Sequence, residues 1–154
     1  MTFFPIPPEK YVKITAFCYK KPDISLEQFL KHWRETHVEK FTRNPKLQGK
    51  LMGYVQVCGS PCSHRQSLMV PHQCQRAEDL TKQMTEWPLA DYDGYAEFYV
   101  KSMDDWLEIA SDPQHLAETV PDMMDFCDVP KMKLLITNYE PRYWEIPPAS
   151  TRGN

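Results

Sequence analysis

The segment Ser25–His37 constrains the fold of this chain more than any other, because both its start and its buried side follow from its residue order. Ser25 followed three residues later by Gln28 is a capping-box pattern, which predicts a helix start. The apolar residues after it recur at helical spacing and predict one buried stripe: Leu26, Phe29, Leu30 and Trp33. His37 stands four residues beyond Trp33 and continues that stripe. A titratable ring is therefore expected on the buried side, near the helix end.

Two histidines of this segment receive different expectations. Five residues of α-helical rotation separate His32 from His37, so we expect His32 to be exposed or bonded at the helix surface. An imidazole titrates near neutrality, with a pKa of about 6.5, which makes His37 the first candidate for proton transfer. The alternative is a core histidine with satisfied nitrogens.

Strand patterns flank this helix. Alternating residues predict strands over four ranges: 11–19, 50–58, 94–100 and 132–139. Ser102 with Asp105 predicts a second capped helix, which Asp112-Pro113 ends, and short helical turns are expected around Leu116 and 123–126. This order predicts an α+β, ferredoxin-like βαββαβ fold, with a four-stranded antiparallel sheet and both helices on one face.

The length of 154 residues fits a single domain, 1–154. We expect arms at 1–10 and 142–154 and an insertion at 59–93, in which Ala77–Trp87 has a helical pattern that Pro88 ends.

Composition excludes several classes of partner. The chain carries 18 Lys and Arg against 21 Asp and Glu, with no basic run, so no nucleic-acid partner is expected. No apolar stretch has the length of a membrane span, and the start lacks the apolar core of a signal peptide, which favours a cytoplasmic protein without a membrane partner. Five cysteines without a framework spacing predict reduced thiols.

The two strand faces differ in chemistry. One set is aliphatic and is expected under the helices: Val12, Ile14, Ala16, Val55, Val57, Ala96, Phe98, Val100, Leu134 and Ile136. The other is aromatic with polar tips: Tyr11, Thr15, Phe17, Tyr19, Tyr54, Gln56, Tyr95, Glu97, Tyr99, Thr137 and Tyr139. The second face is too apolar to stay bare, so we expect a homodimer that pairs two such faces; the alternative is a hydrated tyrosine-rich face.

A zinc site is a competing interpretation of the insertion. Its potential ligands lie close together in sequence: Cys58, Cys62, His64, His72 and Cys74. Their spacing matches no paired-knuckle pattern, so ordinary loop residues are the favoured interpretation and no metal is expected.

The segment 20–37 resembles the first helix of the EthD-like family within the dimeric α/β-barrel superfamily, where a His-Trp pair stands five residues before a second histidine. The segment 122–131 is similar to the closing segment of that family. The resemblance implies a dimeric α/β-barrel fold and a cofactor-free enzyme acting on small polyketides. It extends to fungal decarboxylases and dehydratases of anthraquinone-type pathways.

Loss of carbon dioxide or water from such a substrate passes through an enolate, which needs a proton-transfer group and hydrogen-bond donors. The candidate catalytic residues are His37, Tyr54, His72 and His115, and the candidate substrate-binding residues are Trp33, Phe17, Tyr19, Tyr99 and Phe41. Two cavities compete, one between helices and sheet and one between paired sheets, and His37 favours the first. A cofactor-independent monooxygenase and a non-catalytic binding dimer are the alternative functions.

Overall fold

The four strands form one open antiparallel sheet. A computed structural model describes residues 11–58 and 91–139. Within them lie β1 (Tyr11–Cys18), β2 (Leu51–Cys58), β3 (Gly94–Val100) and β4 (Lys133–Tyr139), in the spatial order β2-β3-β1-β4. All three pairings are antiparallel, so the α+β class and the ferredoxin-like order are confirmed. Within the described residues the sheet is open and does not close into a barrel.

The first helical segment is continuous but has three parts. These are α1 (Leu26–Lys31), a π-helical turn π1 (His32–His37) and α2 (Val38–Thr42). The predicted capping box is confirmed, because the Ser25 hydroxyl accepts from the Gln28 amide at 3.1 Å and the Gln28 side chain accepts from the Ser25 amide at 2.7 Å. This double cap fixes where the helix starts, and hence which residues face the sheet.

The second helical segment repeats this design. Helix α3 (Met103–Ala110) begins at the predicted cap, where the Ser102 hydroxyl accepts from the Asp105 amide at 3.1 Å. A second π turn, π2 (His115–Thr119), then runs directly into α4 (Val120–Phe126). The two short helical turns predicted around Leu116 and 123–126 are therefore parts of one continuous helix. Pro121 lacks an amide hydrogen, which removes one bond of the helical ladder immediately after π2.

Both helical segments cover the same face of the sheet. Phe29, Trp33 and Phe126 pack with the ends of β1 and β3 in one buried cluster, while Phe41 and Ile109 join Ile14 in a second. These helices lie over the middle strands, where burial of aromatic and aliphatic surface contributes most to stability.

The side chains of β2 lie on the opposite faces of the sheet from those predicted. Tyr54 and Gln56 lie on the helix side, where the Tyr54 ring stacks on Phe98 at 5.1 Å, whereas Val55 is 43 % exposed on the open side. A register shift between Leu51 and Gly53 sets this arrangement. Because side chains alternate along a strand, a one-residue irregularity exchanges the two faces. The expectation for β2 was therefore wrong.

Strand β4 lies at the edge of the sheet, and its apolar residues remain exposed. Leu134 and Ile136 pair with Ala16 and Ile14 on the helix side, as predicted, yet their exposed fractions are 62 % and 51 %. The open side carries Leu135, also 49 % exposed.

The side of the sheet that faces away from the helices is its open face. It carries aromatic residues around an ion pair. Lys13 donates to Glu97, and Glu97 also accepts from the Tyr99 hydroxyl at 2.8 Å. Tyr99 packs edge-on against Tyr139 at 5.2 Å. The aromatic character predicted for this face is present, but it surrounds an ion pair.

Several expectations lie outside the described residues. They concern the two arms, almost all of the insertion at 59–93, and the helix at Ala77–Trp87. Within the described ranges, Cys18 and Cys127 are free and buried, and no helix combines the length and apolar character that a membrane crossing requires.

Candidate active site

A cavity of about 350 Å³ lies between the helices and the sheet. Its wall is mainly apolar and includes Phe41, Phe98 and Trp106, and its polar members are His37, His115 and Thr119. This volume and this mixture of many apolar and few polar side chains are typical of small-molecule sites. Of the two cavities considered from the sequence, the one between helices and sheet is thus present within a single chain.

His37 reaches this cavity from the end of π1, with only 9 % of the residue exposed. Its Nδ1 lies 2.8 Å from Oδ2 of Asp122, a residue of α4 that is itself 2 % exposed. The Phe126 ring packs against the imidazole in a T-shaped arrangement, with 5.1 Å between the ring centroids. The ring is therefore held from behind by a carboxylate and from the side by an aromatic residue.

The carboxylate decides which nitrogen of His37 carries the proton. Burial acts to raise the pKa of Asp122, but hydrogen bonds from Lys40, His37 and His32 outweigh it and hold that pKa below its ordinary value. An ionised carboxylate only accepts hydrogen bonds, so Nδ1 of His37 donates to it. Nε2 of the neutral ring is then the basic nitrogen.

The surroundings of His37 favour the neutral form of its ring. Burial is the main cause and lowers its pKa, while the hydrogen bond and charge of Asp122 raise it less. His32 and Lys40 act in the same direction as burial. A neutral imidazole has one unprotonated nitrogen that can accept a proton, as a general base must.

His32 also binds Asp122, which the sequence interpretation missed. Its Nε2 lies 3.0 Å from Oδ1 of Asp122, and its ring packs on Phe126 at 4.8 Å. In π1 the hydrogen bonds run over five residues, as shown by the Val38 amide donating to the Trp33 carbonyl. Residues five apart are therefore stacked on one side, and the expectation that rotation separates His32 from His37 was wrong for this reason.

Lys40 completes the surroundings of the carboxylate. Its Nζ lies 2.6 Å from Oδ1 of Asp122, and its side chain is 35 % exposed. Asp122 thus accepts from three side chains of the first helical segment, which ties α4 to π1 and α2.

His115 enters the same cavity from the start of π2. Its ring packs edge-on against Phe41 at 6.0 Å, and its backbone amide donates to Asp112 at 3.2 Å. Burial, aided by the proximity of His37, lowers the pKa of His115. Two of the predicted catalytic histidines, His37 and His115, therefore line one cavity, and burial lowers the pKa of both; the predicted binding residue Phe41 lines it as well.

Tyr54 and Trp33 belong to the protein core. The Tyr54 hydroxyl accepts from Gln56 at 2.8 Å, and burial raises its pKa to about 12. Trp33 is 2 % exposed and packs against Phe29 at 5.3 Å. Neither residue belongs to the cavity wall, so the structure assigns both to packing beneath the site.

The other predicted binding residues lie at the open side of the sheet. Phe17 packs against Tyr92 at 4.9 Å, and the Tyr19 hydroxyl donates to Asp91 at 3.1 Å. Burial and the neighbouring Glu97 raise the pKa of Tyr99. These three residues are thus separated from His37 by the sheet.

The zinc interpretation and the fourth catalytic candidate remain untested. His72 and the possible ligands Cys62, His64 and Cys74 lie outside the described residues. In ranges 11–58 and 91–139, no three His, Cys, Asp or Glu side chains are grouped so that they could hold a metal ion.

Asp122 is the residue of the candidate site that the sequence did not predict. It stands four residues before Phe126, on the side of α4 that faces the core. An acidic residue on an otherwise apolar helix side is a usable signal, because burying a carboxylate is costly unless it has partners. Its partners His37 and His32 are 85 and 90 residues away in the chain, so the sequence did not identify them.

Two curated proteins are similar over most of the chain. "Dehydratase aurZ" of Gibberella zeae is 25 % identical over 133 residues, which cover 86 % of this chain and 80 % of that protein. "Conidial pigment biosynthesis dehydratase EthD" of Metarhizium robertsii is 25 % identical over 134 residues, covering 86 % and 85 %.

Solved structures support the fold. An ethyl tert-butyl ether D (EthD) family protein from Bacillus halodurans has a TM-score of 0.53 at 16 % identity, covering 84 % of this chain and 99 % of that one. A dimeric ferredoxin-like protein of unknown function from Bacteroides fragilis has a TM-score of 0.50 at 13 % identity, covering 84 % and 95 %. The model of the family described as "EthD domain" matches residues 21–130, which include both helical segments that build the site. The chain therefore belongs to the EthD domain family.

Proposed function

We propose that this protein is a lyase that removes water from an aromatic polyketide intermediate of pigment biosynthesis. The observation that carries the proposal is the buried His37–Asp122 pair at the wall of an apolar cavity. The names of the two curated relatives favour dehydration over decarboxylation as the reaction.

Dehydration of a β-hydroxy ketone suits a single neutral imidazole. Nε2 of His37 accepts the proton from the carbon next to the carbonyl, which leaves an enolate. The resulting imidazolium, which keeps its hydrogen bond to Asp122, then gives this proton to the departing hydroxyl group, so that water leaves and a carbon–carbon double bond forms. The ring ends as it began, and this cycle consumes no cofactor.

The enolate oxygen needs a hydrogen-bond donor where its charge develops. Tyr54, the donor favoured from the sequence, is bound to Gln56 beneath the cavity. His115 is the better candidate, because it lines the same wall as His37 and its neutral ring carries one N–H. Its role is to bind the substrate carbonyl, with Phe41, Phe98 and Trp106 contacting the aromatic rings.

The assembly that we propose is a homodimer formed through the open face of the sheet. The support is the aromatic and partly exposed character of that face, and the description of the Bacteroides fragilis neighbour as dimeric. The His37 cavity lies on the opposite side of the sheet.

The test is turnover of an aromatic β-hydroxy ketone by wild type and His37→Gln, with loss of water followed by mass spectrometry. Glutamine keeps a polar side chain beside Asp122 but has no basic nitrogen. We expect turnover to fall by ~10²–10⁴-fold, with a melting temperature and affinity for a non-reactive ketone close to wild type. Glu39→Gln, an exposed change on the same helical segment, is the matched control and should retain full activity.

Two outcomes would contradict this proposal. If His37→Gln keeps most of its turnover, proton transfer occurs elsewhere. If wild type consumes oxygen in proportion to product, the reaction is an oxygenation and not a dehydration.

A further inference from the structure

One buried carboxylate receives three cationic or potentially cationic groups. Lys40 Nζ at 2.6 Å and His32 Nε2 at 3.0 Å share Oδ1 of Asp122, while His37 Nδ1 at 2.8 Å binds Oδ2. The proposed mechanism gives roles to His37, Asp122 and His115, but none to Lys40 or His32. It leaves open why a lysine is placed against the carboxylate that supports a catalytic base.

Charge balance provides the reason. The single negative charge of Asp122 can balance one positive charge, and an uncompensated charge in this buried setting is costly. A lysine holds its proton far more strongly than an imidazole, with ordinary pKa values of about 10.4 and 6.5. Lys40 therefore supplies the balancing charge, and protonation of either histidine would leave the cluster with an excess positive charge.

We propose that Lys40 is a positioning residue that keeps His37 in its free-base form by neutralising Asp122. Without Lys40, the uncompensated carboxylate would favour an imidazolium at His37, as in any buried ion pair. The lysine is not part of the cavity wall, so it acts through Asp122. This inference rests on the function proposed for His37 and adds the group that tunes it.

The other groups around His37 do not substitute for Lys40. From the second helical segment, His115 is a further neutral ring, and Glu118 is paired with Arg43 of the first. From the first segment, His32 contacts Oδ1 of Asp122, which it shares with Lys40, and does not contact His37 through that oxygen. The sheet contributes Ala16 and Phe98 to this cavity, which carry no charge. Lys40 is thus the charged side chain in direct contact with the His37–Asp122 pair among the described residues.

The test is a direct titration of His37 by NMR, using ring-labelled histidine, in wild type and in Lys40→Met. The assignment of the His37 signal comes from its loss in His37→Gln. We expect the pKa of His37 to rise by about one pH unit in Lys40→Met. The base form is lost as pH falls through that pKa, so the acid limb of the turnover profile should move to higher pH by the same amount. Turnover at a fixed pH below the limb should then fall about tenfold for each pH unit that the limb moves.

Three further variants make the result specific. Lys40→Gln keeps a donor for Asp122 without the charge and should shift the titration even if Lys40→Met fails to fold. Lys40→Arg restores the charge and should return the pKa of His37 to its wild-type value. Lys31→Met, an exposed change on α1, is the matched control and should leave the titration unchanged.

The titration separates the two proposals because it does not depend on activity. An unchanged His37 titration in folded Lys40→Gln overturns the role of Lys40, whatever the activity of His37→Gln. A shifted titration with an unmoved turnover profile supports the role of Lys40 in setting the ring's charge and contradicts the role of His37 as the base.

Discussion

At the scale of single residues, Asp122 has a structural role in joining two helical segments and a proposed chemical role beside His37. Its two oxygens accept from His32, His37 and Lys40, so the carboxylate joins the two helical segments and sets the tautomer of His37. Three donors offset the cost of burying an ionised group that is only 2 % exposed. A change at this position should therefore affect stability as well as catalysis.

Asp122→Asn tests the structural role. An amide keeps the shape but loses the negative charge, and one of its two polar atoms is a donor that faces donors. We expect a loss of unfolding free energy on the order of 3 kcal/mol, towards the lower end of values for buried pairs because Lys40 is partly exposed to water. Urea denaturation at neutral pH measures it. Asp125→Asn, an exposed change on the same helix, should have little effect.

The same comparison has a pH dependence of known sign. The folded-state pKa of Asp122 is lowered, so its stabilisation is present above the ordinary value of about 3.9 and is lost as pH falls through the folded-state pKa. Wild type and Asp122→Asn should therefore approach equal stability in acid. A difference that persists undiminished there would show that the asparagine acts through packing and not through charge.

At the scale of elements, the contact between β3 and the first helical segment depends on a glycine. A Cβ at Gly94 would lie 2.5 Å from Cζ3 of Trp33 and 2.9 Å from the carbonyl oxygen of Val57. Gly94→Ala should destabilise the fold by about 1–3 kcal/mol, as overpacking of a filled core does. At Gly53 the nearest atom to such a Cβ is Cδ2 of the Tyr99 side chain, at 3.2 Å. Gly53→Ala should cost less, and equal losses in urea denaturation would contradict this account of the helix–sheet contact.

The regular elements could be predicted from the sequence because their signals are local. The alternation in 94–100 and the caps at Ser25 and Ser102 each depend on residues a few positions apart, and all three are confirmed. The facing of β2 could not be predicted in this way. It depends on a register shift against β3, where packing of Tyr54 between Phe41 and Phe98 prevails over the simple division into aliphatic and aromatic faces.

The candidate site was predicted in part for the same reason. The buried position of His37 could be predicted because His37 stands four residues after the apolar residue Trp33, at helical spacing. The convergence of His32 and Lys40 on Asp122 requires a π turn in one segment and a partner more than 80 residues away in another. Neither a widened turn nor a long-range ion cluster has a period that a single sequence displays.

At the scale of the whole molecule, the two faces of the sheet present different chemistry. The helix side holds the cavity with His37 and His115, and the other side presents aromatic residues around the Lys13–Glu97 pair. In the proposed homodimer, this ion pair within an apolar surface favours one register between the two copies, since each charged group must meet a suitable partner. The two proposals therefore predict that assembly and chemistry can be altered independently of one another.

A charged side chain placed on the open face tests the proposed homodimer, provided that the position is exposed in the single chain. Leu135 is 49 % exposed on that face, opposite Thr15 of β1, so Leu135→Glu should cost little in a monomer but several kcal/mol where a second copy buries it. We expect wild type to be a dimer at micromolar concentration by light scattering and Leu135→Glu to be a folded monomer with an unchanged circular dichroism spectrum. Leu107→Glu, at a position 57 % exposed on α3, is the matched control and should remain dimeric. A monomeric wild type, or a dimer that survives Leu135→Glu, would mean that the aromatic face does not pair two copies of this chain.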